Sequence, residues 1–428
     1  MIYVIADDLT GANDTGVQFA KKGYNTMVST FNKQSTIIIP DNLDVFVIDT
    51  ETRELEGKTA RKILRNILKT LNINKNDMIY KKVDSTLRGN LGDEIEEIMN
   101  ILKKDICIFS PSFPSNKRIT IDGYLIVDQK PLGLSEYSSN NLMQEGNFFI
   151  PFLLKKQTNF SVGQIDLKDV AKGQKTILSK INKLYQKGNK IIVIDSTNEE
   201  HLKDIFASGL KFGGQVLFSG SAGLANHFPN INNKNEDLKI KIENNKGPVI
   251  VVAGSRNSIM EDQVNYLKNK SIFCELKIDL EQIFSNKNRI LDDYATKCIQ
   301  AIKDNRDLVI HTNITYNEEK SINEKLMLKY HLSFRGLEIK IKTFLGELTS
   351  KIIKNSDVRN LILTGGDVAL GVCKELGIYN INILDELLSG IPLSTAYYEN
   401  HILNIITKAG GFGKEDTLYN LIDKLKNY

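Results

Sequence analysis

The chain has 428 residues, room for two or three domains at roughly 150 residues each. Hydrophobic residues make up 41% and charged residues 25%, a globular composition that excludes a disordered, collagen-like or low-complexity chain. With 56 basic and 52 acidic residues the net charge is only +4, too small an excess for a general nucleic-acid coat, although a local basic pocket stays open. Only ten of the basic residues are Arg. Each Arg in a loop motif is therefore informative, because planar bidentate recognition of carboxylate or phosphate favours it over Lys. Cys107, Cys274, Cys298 and Cys373 form no CxxC pair, which supports neither a zinc ribbon nor a disulfide framework and fits a reducing cytoplasm. Asp7 and Asp8 interrupt the N-terminus before a signal-peptide core can form, and no apolar run approaches the ~18 residues that span a bilayer. The expectation is a soluble cytoplasmic protein.

In chain order, short β-branched runs are followed by glycine or aspartate loops and then by helix-period segments. The first run is 1–6, with a loop at 7–11 and a helix expected near 14–23. Others lie at 45–48, 78–82, 106–109, 190–194 and 216–218, and a further set at 249–253, 307–311 and 360–363. Apolar strands without clear alternation predict sheets covered on both faces. The fold class expected is α/β, with two domains, each a largely parallel sheet flanked by helices. The stretch 229–247, PNINNKNEDLKIKIENNKG, has little to bury and reads as a linker between domains at 1–228 and 248–428. Residues 120–132 read as a hairpin or arm. In such sheets ligands sit at the carboxyl ends of the strands.

Several familiar signatures fail by one residue. Gly57-Lys58-Thr59 lacks the first P-loop glycine, where Thr52 stands; Asp416 replaces the third glycine after Gly411-Phe412-Gly413. Ser219 replaces the first glycine of a nucleophile elbow around Ser221, and Ala6 stands where an aspartyl-phosphatase loop needs its nucleophile. What remains is a set of polar loops at strand exits. Asp7-Asp8-Leu9-Thr10-Gly11 offers a carboxylate for a hydroxyl proton or a divalent cation, or else a helix cap. Adjacent residues of extended backbone point apart, so one of the two aspartates is expected to face the site. Arg53, in Thr50-Glu51-Thr52-Arg53, suits either bidentate carboxylate binding or a surface ion pair. The loop Lys81-Lys82-Val83-Asp84-Ser85-Thr86-Leu87-Arg88 concentrates two Lys, an Asp, two hydroxyls and an Arg before a helix expected from about Gly92, a setting for a hydroxylated anion. Beyond the linker the loops turn glycine-rich: Gly254-Ser255-Arg256-Asn257, Thr364-Gly365-Gly366-Asp367 and Lys408-Ala409-Gly410-Gly411-Phe412-Gly413. Successive backbone N–H groups there suit phosphates. His227, His311 and His401 stand alone, without metal-ligand spacing, and read as structural.

IADDLTGANDTGVQFAKKG, DTETR, KKVDSTLRGN, PSFPSNKRITIDGYLIV, GSAGLA, VAGSRNS, LTGGD and KAGGFGKEDTL together resemble the four-carbon acid sugar kinases, in the family's order and over nearly the whole chain. GANDTGVQ is closer to the D-threonate kinase branch than to the 3-oxo-tetronate branch. The resemblance implies an ATP- and Mg²⁺-dependent kinase with a sugar-acid-binding N-terminal domain and a nucleotide-binding C-terminal domain. The product would be 4-phospho-D-threonate, with D-erythronate, L-threonate or a 3-oxo-tetronate as alternative acceptors. It implies that Asp8, Arg53, Lys82, Val83, Asp84 and Ser85 contact the acid. Its carboxylate would go to Arg53 or Lys82, and its terminal hydroxyl to Asp8 or Asp84 as base, Asp8 being preferred. It likewise implies that Ser255, Gly365, Gly366, Asp367, Val368, Gly410, Gly411, Phe412 and Gly413 contact ATP. Ala409 and Gly411 depart from the frequent KSGNFG, which leaves backbone contacts intact, and Asn257 stands where a second serine is common. The implied partners are the small acid and ATP, with no nucleic acid or membrane and a homo-oligomer left open. A hydrolase using the same loops, or a non-catalytic sugar-acid sensor, are the readings from other classes.

Overall fold

Why the central strands form where they do is visible in their side chains: Ile2–Ala6, Val45–Asp49, Ile106–Ser110, Ile191–Ile194 and Val249–Ala253 are largely apolar, β-branched runs of four or five residues buried along their length. The computed structural model describes residues 1–32, 37–135, 148–230, 246–254, 258–312 and 316–428, without the side chains of 258 and 316–321. It divides the chain into two compact units, Met1–Lys234 and Asn235–Tyr428. Most of the expected linker 229–247 lies outside the described residues.

The first unit is built on the strands β1 (Ile2–Ala6), β2 (Thr26–Thr30), β3 (Val45–Asp49), β4 (Met78–Lys82) and β5 (Ile106–Ser110). A small antiparallel sheet follows, made of β6 (Arg118–Ile121), β7 (Tyr124–Val127) and β8 (Lys130–Pro131), where the sequence predicts an arm. Then come β9 (Val162–Ile165), β10 (Ile191–Ile194) and β11 (Val216–Gly220). The main strands pair in the order β2-β3-β1-β4-β11-β5-β10-β9, all parallel. Alternate side chains serve opposite faces. On one face Ile5, Ile48 and Phe109 pack under Leu64 and Ile67 of the helix Gly57–Thr70 and Ile95 and Ile98 of the helix Leu91–Leu102. On the other, Tyr80 and Phe218 meet an aromatic cluster centred on Phe228, whose ring lies 4.5 Å from Phe206 and 4.9 Å from Phe19.

The second unit comprises β12 (Val249–Ala253), β13 (Phe273–Lys277), β14 (Asp307–His311), β15 (Asn360–Thr364), β16 (Asn380–Leu388), β17 (Ile391–Tyr398) and β18 (His401–Lys408). Its order is β13-β14-β12-β15-β18-β17-β16, parallel up to β18 and antiparallel beyond it. The helices Ser258–Lys270 and Thr417–Asn427 share a core through Met260, Val264, Leu267, Leu418, Leu421 and Leu425. Among the described residues no helix is long and apolar enough to cross a membrane.

Both sheets change direction at a central strand. After β1 the chain builds outward and back through β2 and β3, then crosses to β4 on the other side; after β12 it does the same with β13 and β14 before crossing to β15. At such a switch point adjacent strand-exit loops diverge and leave a crevice. The loops after β1, β3 and β4 meet at one; at the other, Gly254 after β12 packs against Val368 after β15.

Phe228→Ala removes the ring at the centre of the aromatic cluster. We expect it to cost about 3–5 kcal/mol, lowering the calorimetric midpoint of the first unit by roughly 2–4 °C per kcal/mol. An unchanged midpoint would show that the cluster does not anchor residues 222–228 to the sheet.

Candidate active site

The loop after β1 is fixed from both sides. Thr50 donates from its N–H to the Ala6 carbonyl at 2.9 Å, and Thr52 and Arg53 donate to the Asp7 carbonyl at 3.1 and 3.3 Å. The β1–β3 ladder thus runs on past the strands and brings the Arg53 side chain to Asp7 and Asp8. Its guanidinium donates to Asp7 through Nε and Nη2 at 3.1 and 2.8 Å, and to Asp8 through Nη1 and Nη2 at 2.7 and 2.6 Å. Both aspartates meet the guanidinium, and of the two the Asp8 side chain is the more open, at 27% against 2%. The two carboxylates leave the backbone differently, but the planar fork is wide enough to span both. Asp8 also caps the helix Leu9–Ala20, accepting from the Gly11 N–H at 3.0 Å. The expected start of that helix is corrected from 14 to Leu9, because the cap places the first turn directly after Asp8.

On the other side of β1, the loop after β4 brings in Asp84. Arg88 holds it bidentately, Nε at 2.8 Å and Nη2 at 2.9 Å, and Thr86 donates to it from its hydroxyl and N–H. Arg53 Nη1 stands 3.8 Å from Asp84 Oδ1. Two glycines let these groups converge. A Cβ on Gly89, which has φ +94°, would lie 2.8 Å from Asp7 Oδ2, and one on Gly11 would lie 2.6 Å from Asp8 Oδ1 and 2.8 Å from Lys82 Nζ. Glu51, at φ 51°, occupies the left-handed region without being glycine, a local strain of the kind that gathers at functional loops.

Charge is compensated unevenly across the cluster. Burial works against ionised Asp7, but Arg53 and then Lys81 outweigh it and hold its carboxyl below the usual range. Burial likewise opposes the charge on Asp84, and Arg88 followed by Arg53 pulls it well below that range. Behind them Lys81 and Glu94, each 1% exposed, pair at 2.5 Å, and the Thr52 hydroxyl donates to Glu94. Lys82 differs. It is 3% exposed, its Nζ lies beside Gly11, and no hydrogen bond or ion pair engages it among the described residues. Of the three aspartates, the Asp8 side chain is the most open, at 27% against 2% for Asp7 and 11% for Asp84.

In the second unit, Gly365 has φ +95° and caps the helix Gly366–Glu375 with no side-chain hydrogen bond; a Cβ built on it would meet nothing within 4 Å. The helix N-terminus therefore faces open space at the end of β15. Next to it, the loop after β18 turns its carbonyls inward. Lys408 Nζ donates to the carbonyls of Ala409, Gly410 and Phe412, each at 3.2 Å. Gln263 Nε2, from the helix Ser258–Lys270, donates to those of Phe412 and Lys414 at 3.1 and 3.0 Å. Among the described residues the N–H groups of Gly410, Gly411 and Gly413 meet no acceptor.

Of the residues expected to contact the acid, Asp8, Arg53, Lys82 and Asp84 come together at one switch point. Ser85 is half-buried on the same loop. Val83 is corrected as a side-chain contact: it is fully buried in the hydrophobic core, and its N–H donates to the Gly220 carbonyl at 2.9 Å. In the nucleotide set, Val368 packs against the Gly254 backbone and Asp367 is exposed and paired with Lys342 at 3.3 Å, so the turn offers its backbone. Ser255 lies outside the described residues. His227 and His311 pair with Glu199 and Glu275, each at 2.9 Å, as structural residues do. Sequence reasoning missed the pairing of Arg88 with Asp84, the Lys81–Glu94 pair and the Lys408 and Gln263 bonds. The density of charge in 81–88 was the available signal for the first two.

Residues 2–228 match a sugar-binding N-terminal domain family and residues 250–418 a nucleotide-binding C-terminal domain family. The chain is 30% identical over 423 residues to a D-threonate kinase of Salmonella typhimurium, covering 97% of this chain and 96% of that one. It is 26% identical to a D-erythronate kinase of Heliobacterium modesticaldum, covering 99% and 97%, and 24% identical to a 3-oxo-tetronate kinase of Haemophilus influenzae, covering 97% and 98%. Two crystal structures share its fold. One, from Salmonella typhimurium, has a TM-score of 0.82 at 22% identity over 98% of each chain; the other, from Haemophilus influenzae, has 0.75 at 22% identity over 99% and 100%. Matched along both halves and across nearly its full length, the chain belongs to the four-carbon acid sugar kinase family.

Proposed function

We propose that this protein is an ATP-dependent kinase that phosphorylates the terminal hydroxyl of a four-carbon sugar acid, D-threonate, to give 4-phospho-D-threonate. The observation that carries this reading is the cluster at the first switch point. It is a crowd of paired charges in which one buried ammonium, that of Lys82, makes no direct ion pair or hydrogen bond among the described residues and acts on Asp7 only through space. A buried cation without a partner is costly, and a carboxylate arriving beside it relieves that cost. In this reading Lys82 receives the carboxylate of the acid. Arg53 acts through Asp8 rather than on the substrate, since four of its N–H bonds already go to Asp7 and Asp8.

Asp8 is the base for the hydroxyl in this assignment. Both aspartates are held by a guanidinium, but Asp8 is the more open, at 27% against 11% for Asp84. Phosphoryl transfer asks the protein chiefly for positioning and charge compensation. The turn Gly365, Gly366, Asp367, Val368 and the loop Gly410, Gly411, Phe412, Gly413 would supply backbone N–H groups to the ATP phosphates. Among the described residues no set of three His, Cys, Asp or Glu side chains is arranged to hold a metal, and the site aspartates are already paired with guanidinium groups. Mg²⁺ in this reading enters on the triphosphate oxygens and supplies charge neutralisation there. The name of the most similar relative quoted above supports D-threonate over the other acids. A coupled ADP-release assay with D-threonate, D-erythronate, L-threonate and 3-oxo-tetronates tests the whole reading. D-threonate should give the highest kcat/KM, and a chain that forms ADP with none of them is not this kinase.

Asp8→Asn is nearly isosteric and should keep the fold while lowering kcat by ~10²–10⁴-fold, the range for a lost general base. Asp84→Asn is its comparison; if it is the more damaging of the two in kcat, the base has been misassigned.

Arg53→Lys keeps the charge and loses the fork. With Asp8 no longer held, kcat should fall about tenfold or more, the scale of one lost charge-assisted hydrogen bond. The KM for the acid should change less. A loss confined to the KM for the acid would mean that Arg53 binds substrate directly.

Gly366 does not carry a positive φ, so Gly366→Val is compatible with the backbone and places a branched side chain at the helix N-terminus. ATP affinity measured by calorimetry should fall by about 2 kcal/mol, roughly 30-fold, with acid affinity unchanged. Undiminished ATP binding would remove the phosphates from this turn.

A further inference from the structure

We infer that Lys408 and Gln263 are positioning residues that clamp the glycine loop 409–414 from beneath, aiming its N–H groups at the nucleotide phosphates without touching the nucleotide. The inference rests on the reading of this loop as a phosphate site. Its geometry stands apart from that reading. Lys408 closes β18 and is 1% exposed, and its ammonium has three N–H donors. All three have a carbonyl of the loop within reach, those of Ala409, Gly410 and Phe412, each at 3.2 Å. No donor is left for a ligand. Gln263, fully buried on the helix Ser258–Lys270, adds two donations from its amide, to the carbonyls of Phe412 and Lys414. The amide oxygen of Gln263 has no hydrogen-bond partner. That orientation costs the amide one acceptor bond and is retained for the sake of the loop's carbonyls.

Five donations into four carbonyls fix the direction of the loop's peptide groups. In a tight turn, a carbonyl held inward rotates the N–H of the following residue outward. The N–H groups that follow the bonded carbonyls of Ala409, Gly410 and Phe412 belong to Gly410, Gly411 and Gly413, the three without an acceptor among the described residues. Gly413, at φ +92°, turns the chain back, and the Lys414 N–H closes onto the Thr417 hydroxyl at 2.8 Å. No carboxylate pairs with Lys408 among the described residues. Burial alone pushes its ammonium down to about 8, and within the described residues its N–H groups meet only the carbonyls of the loop. A donor that touched the phosphates would act alone. A clamp acts through the loop, and its two members share one effect.

That difference is measurable in a double-mutant cycle. MgATP is titrated calorimetrically into the full chain and into Lys408→Met, Gln263→Leu and the double variant, without the acid, and D-threonate is titrated separately. Lys408→Met should weaken MgATP binding about tenfold or more and Gln263→Leu several-fold. The double variant should lie near the worse single variant rather than at the product, and D-threonate affinity should stay within about twofold. If Lys408→Met does not fold, Gln263→Glu replaces it. That change keeps the shape but turns an acceptor oxygen toward the two carbonyls, so it should exceed the effect of Gln263→Leu. Unchanged MgATP affinity in the folded variants overturns the clamp. So does a loss in Lys408→Met with Gln263→Leu neutral, which would put the ammonium on the phosphate itself, and so does a strictly multiplicative cycle. Gly366→Val separates the two levels. If it weakens MgATP binding while the clamp variants do not, only the clamp fails; if none of them does, the phosphate assignment fails with it.

Discussion

One guanidinium organises the first unit's site. Arg53 lies in the loop after β3, yet its hydrogen bonds end on the aspartates that follow β1, and its third edge faces the aspartate after β4. The exits of three strands are therefore joined through a single planar group. Isolated burial of Asp7, Asp8 and Asp84 would be prohibitive, because a buried carboxylate without a partner neutralises or drags in water. With Arg53 between them and Arg88 behind Asp84, Asp7 and Asp84 are held below the usual carboxylate range in a small space. The loop conformations, including the left-handed Glu51, follow from that requirement. Arg88 and the Lys81–Glu94 pair then complete the charge balance around the one centre.

In the proposed reading the two units would bind their anions by different chemistry on the same topology. Both place their loops at a switch point of a parallel sheet. In the first, the groups proposed to bind are side chains of fixed direction, as a small acid distinguished by its hydroxyls demands. In the second the proposed groups are backbone N–H groups on glycines, which suit a triphosphate whose many oxygens are alike. A modest net charge of +4 is consistent with this division. Neither site needs an extended basic surface, since each compensates its ligand locally.

How far this was legible in the sequence follows the same division. Strand exits could be found because most of the apolar runs lead into a loop with Asp or Gly, and the loops 7–11, 50–53 and 82–88 are dense in chemistry. The strands β2, β9 and β13 were missed because their short runs are less apolar, and β16 and β17 because their polar and apolar residues are mixed as in a loop. Pairings were harder to see. Nothing local shows that Arg53 would span both Asp7 and Asp8, and Gln263 reaches Phe412 across 149 residues of chain. A side chain's neighbours in sequence report its loop, but its partner is decided by which strands lie side by side. Val83 shows the converse: it sits within a site motif, and its place on the sheet turns it into the core.

Both units also retain a buried ammonium that no carboxylate pairs among the described residues, Lys82 in the first and Lys408 in the second. Each is the last residue of a strand, β4 or β18, which fixes the side chain's place. Selection for stability alone would pair such charges or replace them with apolar residues, since burying an isolated cation opposes folding. A site already neutral would, however, have little electrostatic reason to take up an acid or a triphosphate. On the proposed assignment the ligand would supply the missing negative charge, and the energy withheld from the empty protein would appear as affinity. By mass action the liganded protein is also the more stable one. This is the trade between stability and activity that functional sites commonly make, and on the proposed assignment it is made at two residues, one in each unit.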